Sequence, residues 1–131
     1  GAGTVTLTAK QAGDGNYLAA TDVTDSFVIN KASQAISFAA LEDKVYGDPP
    51  FEISASASSG LPVSFSIVSG PATINENLIT LTGTGTVIVR ASQGGNENYL
   101  AATNVDRSFN VAAQEKLAQV ITFDALPNKT Y

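Results

Sequence analysis

Acidic side chains are the residues of this 131-residue chain that offer ordinary acid–base or metal chemistry. The sequence contains no Cys, Met, Trp or His, so it has no thiol nucleophile, no soft metal ligand and no imidazole. Two acidic groups have a spacing that suits a calcium ion, which binds carboxylate and amide oxygens. They are Asp14-Gly15-Asn16, in a predicted turn, and Asp43 with Asp48. A pair of carboxylates is also what a glycoside hydrolase requires.

The chain repeats itself, so each candidate residue can be compared with a second copy. Residues 1–29 return as residues 83–111, at an offset of 82 residues, and residues 34–46 return as residues 119–131, at an offset of 85 residues. Three residues are therefore gained between the two blocks. A repeat of this period predicts a tandem array rather than a single irregular domain.

The two offsets predict three segments. We expect residues 1–33 to hold the C-terminal strands of a preceding repeat and a linker, residues 34–118 to form one complete repeat, and residues 119–131 to supply the first strand of a following repeat. No signal peptide opens the sequence, and no apolar run approaches the roughly 20 residues that span a bilayer. We therefore expect an internal part of a longer protein, without membrane insertion.

No acidic residue is kept where both copies exist. Asp14 corresponds to Asn96, and Asp43 corresponds to Asn128. The other exchanges are Asp22 to Asn104, Asp25 to Arg107, Glu42 to Pro127, Gly15 to Glu97, Thr24 to Asp106 and Ala39 to Asp124. A catalytic pair needs both carboxylates in place, so we predict that the chain is not an enzyme and has no catalytic, cofactor-binding or metal-binding residues. Calcium remains the alternative because Asp-to-Asn exchange preserves an oxygen ligand, although Asp and Asn are also ordinary turn residues.

Two further pairs of residues admit a chemical interpretation. Tyr17 and Tyr99 could stack on a ligand, but their apolar surroundings predict packing against the end of a sandwich. Lys44 and Lys129 are a retained charged pair, which would suit a Lys–Asn crosslink if a buried acid stood beside them. The neighbouring acids are not retained, so we expect the lysine stems to cover apolar surface.

The net charge of −5 and the pI of about 4.4 argue against a nucleic-acid partner, because phosphate backbones attract basic surfaces.

Apolar and polar residues alternate with a period of two, which predicts antiparallel strands with one buried face. The two copies agree on that face: Val5 and Leu7 match Val87 and Val89, whereas polar Thr8 corresponds to charged Arg90. We count about seven short strands in the complete repeat and predict an all-β sandwich of two packed sheets. The predicted core is Ile36, Phe38, Ile53, Phe65, Ile67, Leu81, Val87, Val89, Phe109 and Val111.

Four segments resemble the bacterial Ig-like repeats of large surface proteins. They are Leu61-Pro-Val-Ser-Phe-Ser, Gly83-Thr-Gly-Thr-Val-Ile-Val-Arg-Ala-Ser-Gln, Gly95-Asn-Glu-Asn-Tyr-Leu-Ala-Ala and Ile121-Thr-Phe-Asp-Ala-Leu-Pro-Asn-Lys-Thr-Tyr. They are most similar to the mostly bacterial Ig type found in giant gliding and attachment adhesins of Bacteroidota. The resemblance implies an immunoglobulin-like antiparallel sandwich in an extracellular stalk at the cell surface, and it brings no catalytic residues.

The joins between units bear on what an array of this kind does. Asn30–Gln34 and Ala112–Gln119 contain neither Gly nor Pro, so they lack the composition of flexible tethers. We therefore expect a spacer module that extends a distal binding tip, with neighbouring repeats as its partners. Two alternatives stay open: a subunit of an extracellular filament, and a weak binding module for glycans or other surface proteins.

Overall fold

The computed structural model describes residues 1–122, 124–125 and 127–129, and within them the chain forms strands and no helix. The strands are β1 (Gly3–Ala9), β2 (Val23–Ile29), β3 (Ile36–Phe38), β4 (Lys44–Val45), β5 (Phe51–Glu52), β6 (Ala55–Ala57), β7 (Ser64–Ser69), β8 (Ala72–Asn75), β9 (Leu78–Leu81), β10 (Gly85–Ser92) and β11 (Val105–Ala112). The predicted all-β class is confirmed. No helix that is long and apolar enough to cross a membrane occurs in this described part of the chain.

The two copies of the repeated segment fold into the same antiparallel hairpin. β1 pairs with β2 so that Gly3 faces Ile29, and β10 pairs with β11 so that Gly85 faces Val111. Each of these four positions is separated from its counterpart by the sequence offset of 82, so the two registers are identical. The local sequence therefore sets the pairing, whatever the hairpin packs against.

The strands between Ile36 and Ala112 form a β-sandwich-like unit. One sheet has four strands in the order β4-β11-β10-β7. It faces a three-stranded sheet, β5-β9-β8, and a two-stranded sheet, β3-β6. Aromatic pairs join the layers: the Phe51 and Phe109 rings meet edge to face with centres 5.7 Å apart, and the Phe38 and Phe65 rings are tilted with centres 5.5 Å apart.

The core lies between these layers and agrees with the sequence prediction. Val87 and Val89 are fully buried in the central strand β10, and Ile79 is fully buried in β9. Every residue of the predicted core is either buried or packed against the buried cluster, with Ile36, Phe65, Ile67 and Leu81 in the second group. β10 is central in its sheet, and the opposing layer covers its inward residues Val87, Val89 and Ala91, which are all fully buried.

The alternation of Phe51, Ile53, Ala55 and Ala57 with polar residues predicts one strand over residues 51–57, but the structure divides it in two. β5 pairs with β9, whereas β6 pairs with β3, so the chain passes from one sheet to another between them. At the crossing, the Ile53 amide donates to the Asn77 carbonyl at 2.9 Å, and the Ile53 side chain is buried. Alternation of apolar residues continues through the crossing, which explains why the pattern alone did not reveal it. This division and the two-residue strand β4, which the alternation did not predict, account for the nine described strands between Ile36 and Ala112, against about seven predicted.

A short parallel contact closes the edge of the four-stranded sheet. β4 runs parallel to the end of β11, with Lys44 opposite Val111, and the Tyr46 amide donates to the Ala112 carbonyl at 2.8 Å. The Arg107 side chain of β11 links the two layers, because its Nε donates to the carbonyl of Phe38 in β3 at 2.9 Å.

The first hairpin carries the same apolar face as the second but leaves it exposed. Phe27 is 52% exposed and Ile29 is 43% exposed, whereas Phe109 is 3% exposed. Residues 119–131 are predicted to supply only an opening strand, so we expect Ile121 and Phe123 to be exposed in an isolated chain. Ile121 is exposed, and Phe123 lies outside the described residues. The described residues between 119 and 129 form no strand.

Candidate functional site

The acidic residue of Asp14-Gly15-Asn16, the first group considered for the calcium alternative, caps its own loop. One side-chain oxygen of Asp14 accepts hydrogen bonds from the amides of Asn16, at 2.8 Å, and Tyr17, at 3.0 Å. Asn96 makes the same two bonds with the amides of Asn98, at 2.8 Å, and Tyr99, at 3.0 Å. A neutral amide thus does the same work as the carboxylate, which explains the exchange of Asp for Asn between the copies.

In the second group considered for calcium, Asp43 with Asp48, both carboxylates likewise accept hydrogen bonds from backbone amides. Asp43 accepts from the Asn110 amide at 2.7 Å, and Asp48 accepts from the Val45 amide at 3.0 Å. Among the residues that the structure describes, no three Asp or Glu side chains come together as a metal site would require. These carboxylates therefore organise β4 and its connection to β11.

The retained lysine lies against an aromatic ring. The Lys44 ammonium is 4.9 Å from the centre of the Phe51 ring, so its stem covers the apolar edge of the sandwich. The two tyrosines differ: Tyr99 is half-buried, but Tyr17 is 75% exposed. Packing of Tyr17 against a sandwich end, predicted from sequence, is not observed because the first hairpin has no second layer over it.

Arg90 and Asp106 form an ion pair across the second hairpin. Two parallel hydrogen bonds of 2.8 Å join the guanidinium to the carboxylate. Hydrogen bonding to Arg90 lowers the pKa of Asp106, and the same bonds raise the pKa of Arg90. In the first hairpin the equivalent residues are Thr8 and Thr24, which also lie opposite each other, with hydroxyl oxygens 3.4 Å apart. The same cross-strand position is therefore filled by an ion pair in the second hairpin and by two threonine hydroxyls in the first.

The linker between the first hairpin and the complete unit is bound along one loop. The Ala32 amide donates to the Asn98 carbonyl at 2.8 Å, and the Leu100 amide donates to the Ala32 carbonyl at 2.9 Å. These two bonds make a parallel bridge between Ala32 and Tyr99. In addition, the Asn98 side-chain oxygen accepts from the Ala2 amide at 3.1 Å. We call residues 93–102 the joint loop.

Gln34 extends this contact into the complete unit. Its side-chain amide donates to the Leu100 carbonyl at 2.7 Å and to the Gln93 side-chain oxygen at 3.0 Å. The Ser59 hydroxyl donates to the Gln34 side-chain oxygen. Gln34 is half-buried, so these bonds are partly shielded from water.

The run Asn-Tyr-Leu-Ala-Ala-Thr recurs intact in the two copies, but the residue types alone did not reveal it as a contact site. The run begins at Asn16 and again at Asn98. In neither copy does it belong to a strand of the core, since it lies between the two strands of each hairpin. The sequence identity of the two copies at residues outside the core was the available signal that the run makes a contact of its own.

Comparisons with known proteins give no relative of this chain. No protein-family model matches it, and no curated protein or solved structure matches it.

Proposed function

We propose that this chain is a structural spacer in a long repetitive bacterial surface protein, where immunoglobulin-like repeats extend a distal binding tip from the cell. The observation that carries the proposal is the join between the first hairpin and the complete unit. The linker is hydrogen-bonded to the joint loop at Ala32 and Gln34, so it does not act as a free tether between the two repeats. If every join in the array is bonded in this way, successive units keep a fixed orientation, and each added unit lengthens the array.

The repeated hairpin also supports an array. β1–β2 and β10–β11 share one register, and the exposed apolar face of the first corresponds to the buried face of the second. We infer that Phe27 and Ile29 pack in the array as Phe109 and Val111 do in the complete unit. Asp14, Asp43 and Asp48 accept hydrogen bonds from backbone amides, which agrees with a mechanical rather than a chemical role.

The test is the length of longer arrays. Chains carrying one, three and five copies of residues 34–118 between residues 1–33 and 119–131 are compared by small-angle X-ray scattering. Strands of about seven residues rise roughly 3.4 Å per residue, so with its loops each unit adds about 35–40 Å to the maximum dimension. A linear increase supports the spacer. An increase that follows the square root of copy number, as for freely jointed units, contradicts it.

A filament subunit is the second candidate, because exposed apolar side chains such as Leu7 and Phe27 lie on a two-stranded sheet with free edges. In that case the 131-residue chain assembles with itself. Sedimentation velocity over a hundredfold range of concentration distinguishes the two: a spacer stays monomeric, and a filament subunit shifts to larger species.

A further inference from the structure

We propose that the joint loop is a preformed clamp that binds the linker entering its own unit and so fixes the direction of the preceding repeat. This inference rests on the proposed spacer function and names the contact that would make the spacer stiff. The partner is an extended segment of the same array, with a glutamine two residues after the residue that pairs with Tyr99.

The clamp holds the preceding hairpin at two points. The side-chain oxygen of Asn98 accepts a hydrogen bond from the Ala2 amide, and its main-chain oxygen accepts one from the Ala32 amide. Ala2 directly precedes β1, and Ala32 follows β2 by three residues. Both strands of the hairpin are therefore attached to one residue of the next unit. A single attachment leaves a hinge, whereas attachments on two strands restrict both bending and rotation about the hairpin axis.

The loop takes its shape from its own sequence. In the joint loop the Asn96 amide donates to the Tyr99 carbonyl at 3.0 Å, and the Ala102 amide donates to the Gln93 carbonyl at 2.9 Å. Gln93 also accepts from the Gly95 amide through its side chain.

The copy of this loop in the first hairpin has the same internal bonds. The Asp14 amide donates to the Tyr17 carbonyl at 2.9 Å, the Ala20 amide donates to the Gln11 carbonyl at 3.0 Å, and the Gln11 side chain accepts from the Gly13 amide. Gly13 and Gly95 have φ values of 74° and 75°. In the described structure no linker lies against this first loop, and yet its conformation is the same. The clamp is thus organised before it binds, which lowers the entropy cost of holding the linker.

The glutamine makes the contact selective. A backbone bridge alone accepts any extended segment, but Gln34 donates to the Leu100 carbonyl and to Gln93 while accepting from Ser59. Only a carboxamide offers two donor hydrogens and an acceptor in one side chain. Gln119, at the equivalent place before the next repeat, retains this residue type.

The experiment uses the full chain and two kinds of variant. Asn98→Ala and Gln34→Ala remove one clamp contact each, and Asn16→Ala and Gln119→Ala are the matched controls in the other copies. Hydrogen exchange is read at the amides of Ala32 and Leu100, and residual dipolar couplings report whether the hairpin and the unit share one alignment tensor. Amides of Val87 and Val89 verify that the core remains folded.

We expect protection of Ala32 and Leu100 in the unmodified chain and a single alignment tensor. Each clamp variant should lower that protection about three- to tenfold, as for loss of one hydrogen bond, and reduce the alignment of the hairpin. The controls should do neither, and Asn98→Asp, which keeps the acceptor oxygen, should restore the unmodified behaviour.

Unchanged protection and alignment in both clamp variants would overturn the clamp, as would an unprotected Ala32 amide in the unmodified chain. The spacer function would survive that result if arrays still lengthened linearly. Conversely, an intact clamp in arrays that do not lengthen would reject the spacer and leave the clamp standing.

Discussion

Phe27 lies directly opposite Val5 across the first hairpin. The equivalent pair in the second hairpin, Phe109 and Val87, has the same register, yet Phe109 is 3% exposed where Phe27 is 52% exposed. The difference in burial therefore comes from what each hairpin packs against and not from the hairpins themselves. Two copies of one structure in a single molecule provide matched controls for most substitutions.

The first prediction concerns that pair of phenylalanines. Phe109→Ala should lower the free energy of unfolding by about 3–5 kcal/mol, because it leaves a cavity in the core and removes the contact with Phe51. Phe27→Ala should change it by no more than about 0.5 kcal/mol in the isolated chain. Urea denaturation of the 131-residue chain measures both. Phe109→Leu is the milder variant if Phe109→Ala does not fold, and equal effects at the two positions would refute the core assignment.

A second prediction tests the shape of the joint loop. Gly95 has φ of 75°, and a Cβ there would come within 2.7 Å of the Leu100 carbonyl carbon. Gly95→Ala should therefore cost about 1–3 kcal/mol through backbone strain and displacement of the loop. Gly94 faces open space, so Gly94→Ala is the control and should be nearly neutral. The urea midpoints of the two variants decide the point; equal midpoints would contradict the loop geometry.

The main strands and the core could be predicted from sequence because their information is local or repeated. Alternation placed Val87, Val89 and Phe109 inside, and comparison of the copies separated the buried face from the variable one. The parallel contact of β4 with β11 could not be predicted, since it joins segments more than sixty residues apart and involves only two residues of each.

The joint loop shows a different limit of sequence reasoning. Its contacts depend on backbone atoms of Ala32 and Leu100. Nearly every residue carries the same backbone groups, so residue type does not indicate which of them form a contact. The side chains that take part are Gln34, Gln93, Ser59 and Asn98, and polar residues between strands are ordinarily assigned to solvent. The repeated Asn-Tyr-Leu run indicated where a contact lies, but only the structure shows that its partner is the linker at Ala32.

The third prediction is a pH dependence at the Arg90–Asp106 pair. Hydrogen bonding to Arg90 holds the pKa of Asp106 below its ordinary value of 3.8. A lowered pKa in the folded chain means that the pair stabilises the fold above the unfolded-state pKa and loses that effect as the pH falls through the folded-state pKa. The stability difference between the unmodified chain and Asp106→Asn should therefore narrow in acid, below about pH 4.

NMR titration of the side-chain carboxyl provides the direct measurement. Arg90→Thr, which installs the residue type found at Thr8, should return the pKa of Asp106 towards its ordinary value. Both partners are partly exposed, so added salt should weaken the effect. A pKa that does not respond to Arg90→Thr would show that the ion pair does not persist in solution.

The fourth prediction is that folding needs no calcium. Asp14 and Asp43 already accept backbone amides, so binding an ion would compete with those bonds. Thermal melts in millimolar calcium and in chelator should coincide. A rise in Tm of more than about 10 °C with calcium, equivalent to roughly 2 kcal/mol in a domain of this size, would favour a metal-bound turn instead.

The last prediction separates the first hairpin from the complete unit by hydrogen exchange. β10 lies between β11 and β7, whereas β1 pairs with β2 alone. Amides of β10 should exchange only when the whole unit unfolds, and those of β1 should exchange through opening of a single hairpin, which is marginally stable in water.

Val5–Ala9 should accordingly be far less protected than Val87–Ala91 in the monomeric 131-residue chain. The two segments differ at three of five positions, so each measured rate is first divided by the intrinsic rate of its own sequence, and the remaining ratio reports on packing. An array that supplies the second layer over Phe27 should raise the protection of β1 to that of β10. Equal protection in the monomer would mean that the first hairpin is already stabilised within this chain, and the tandem-array interpretation of residues 1–33 would then be wrong.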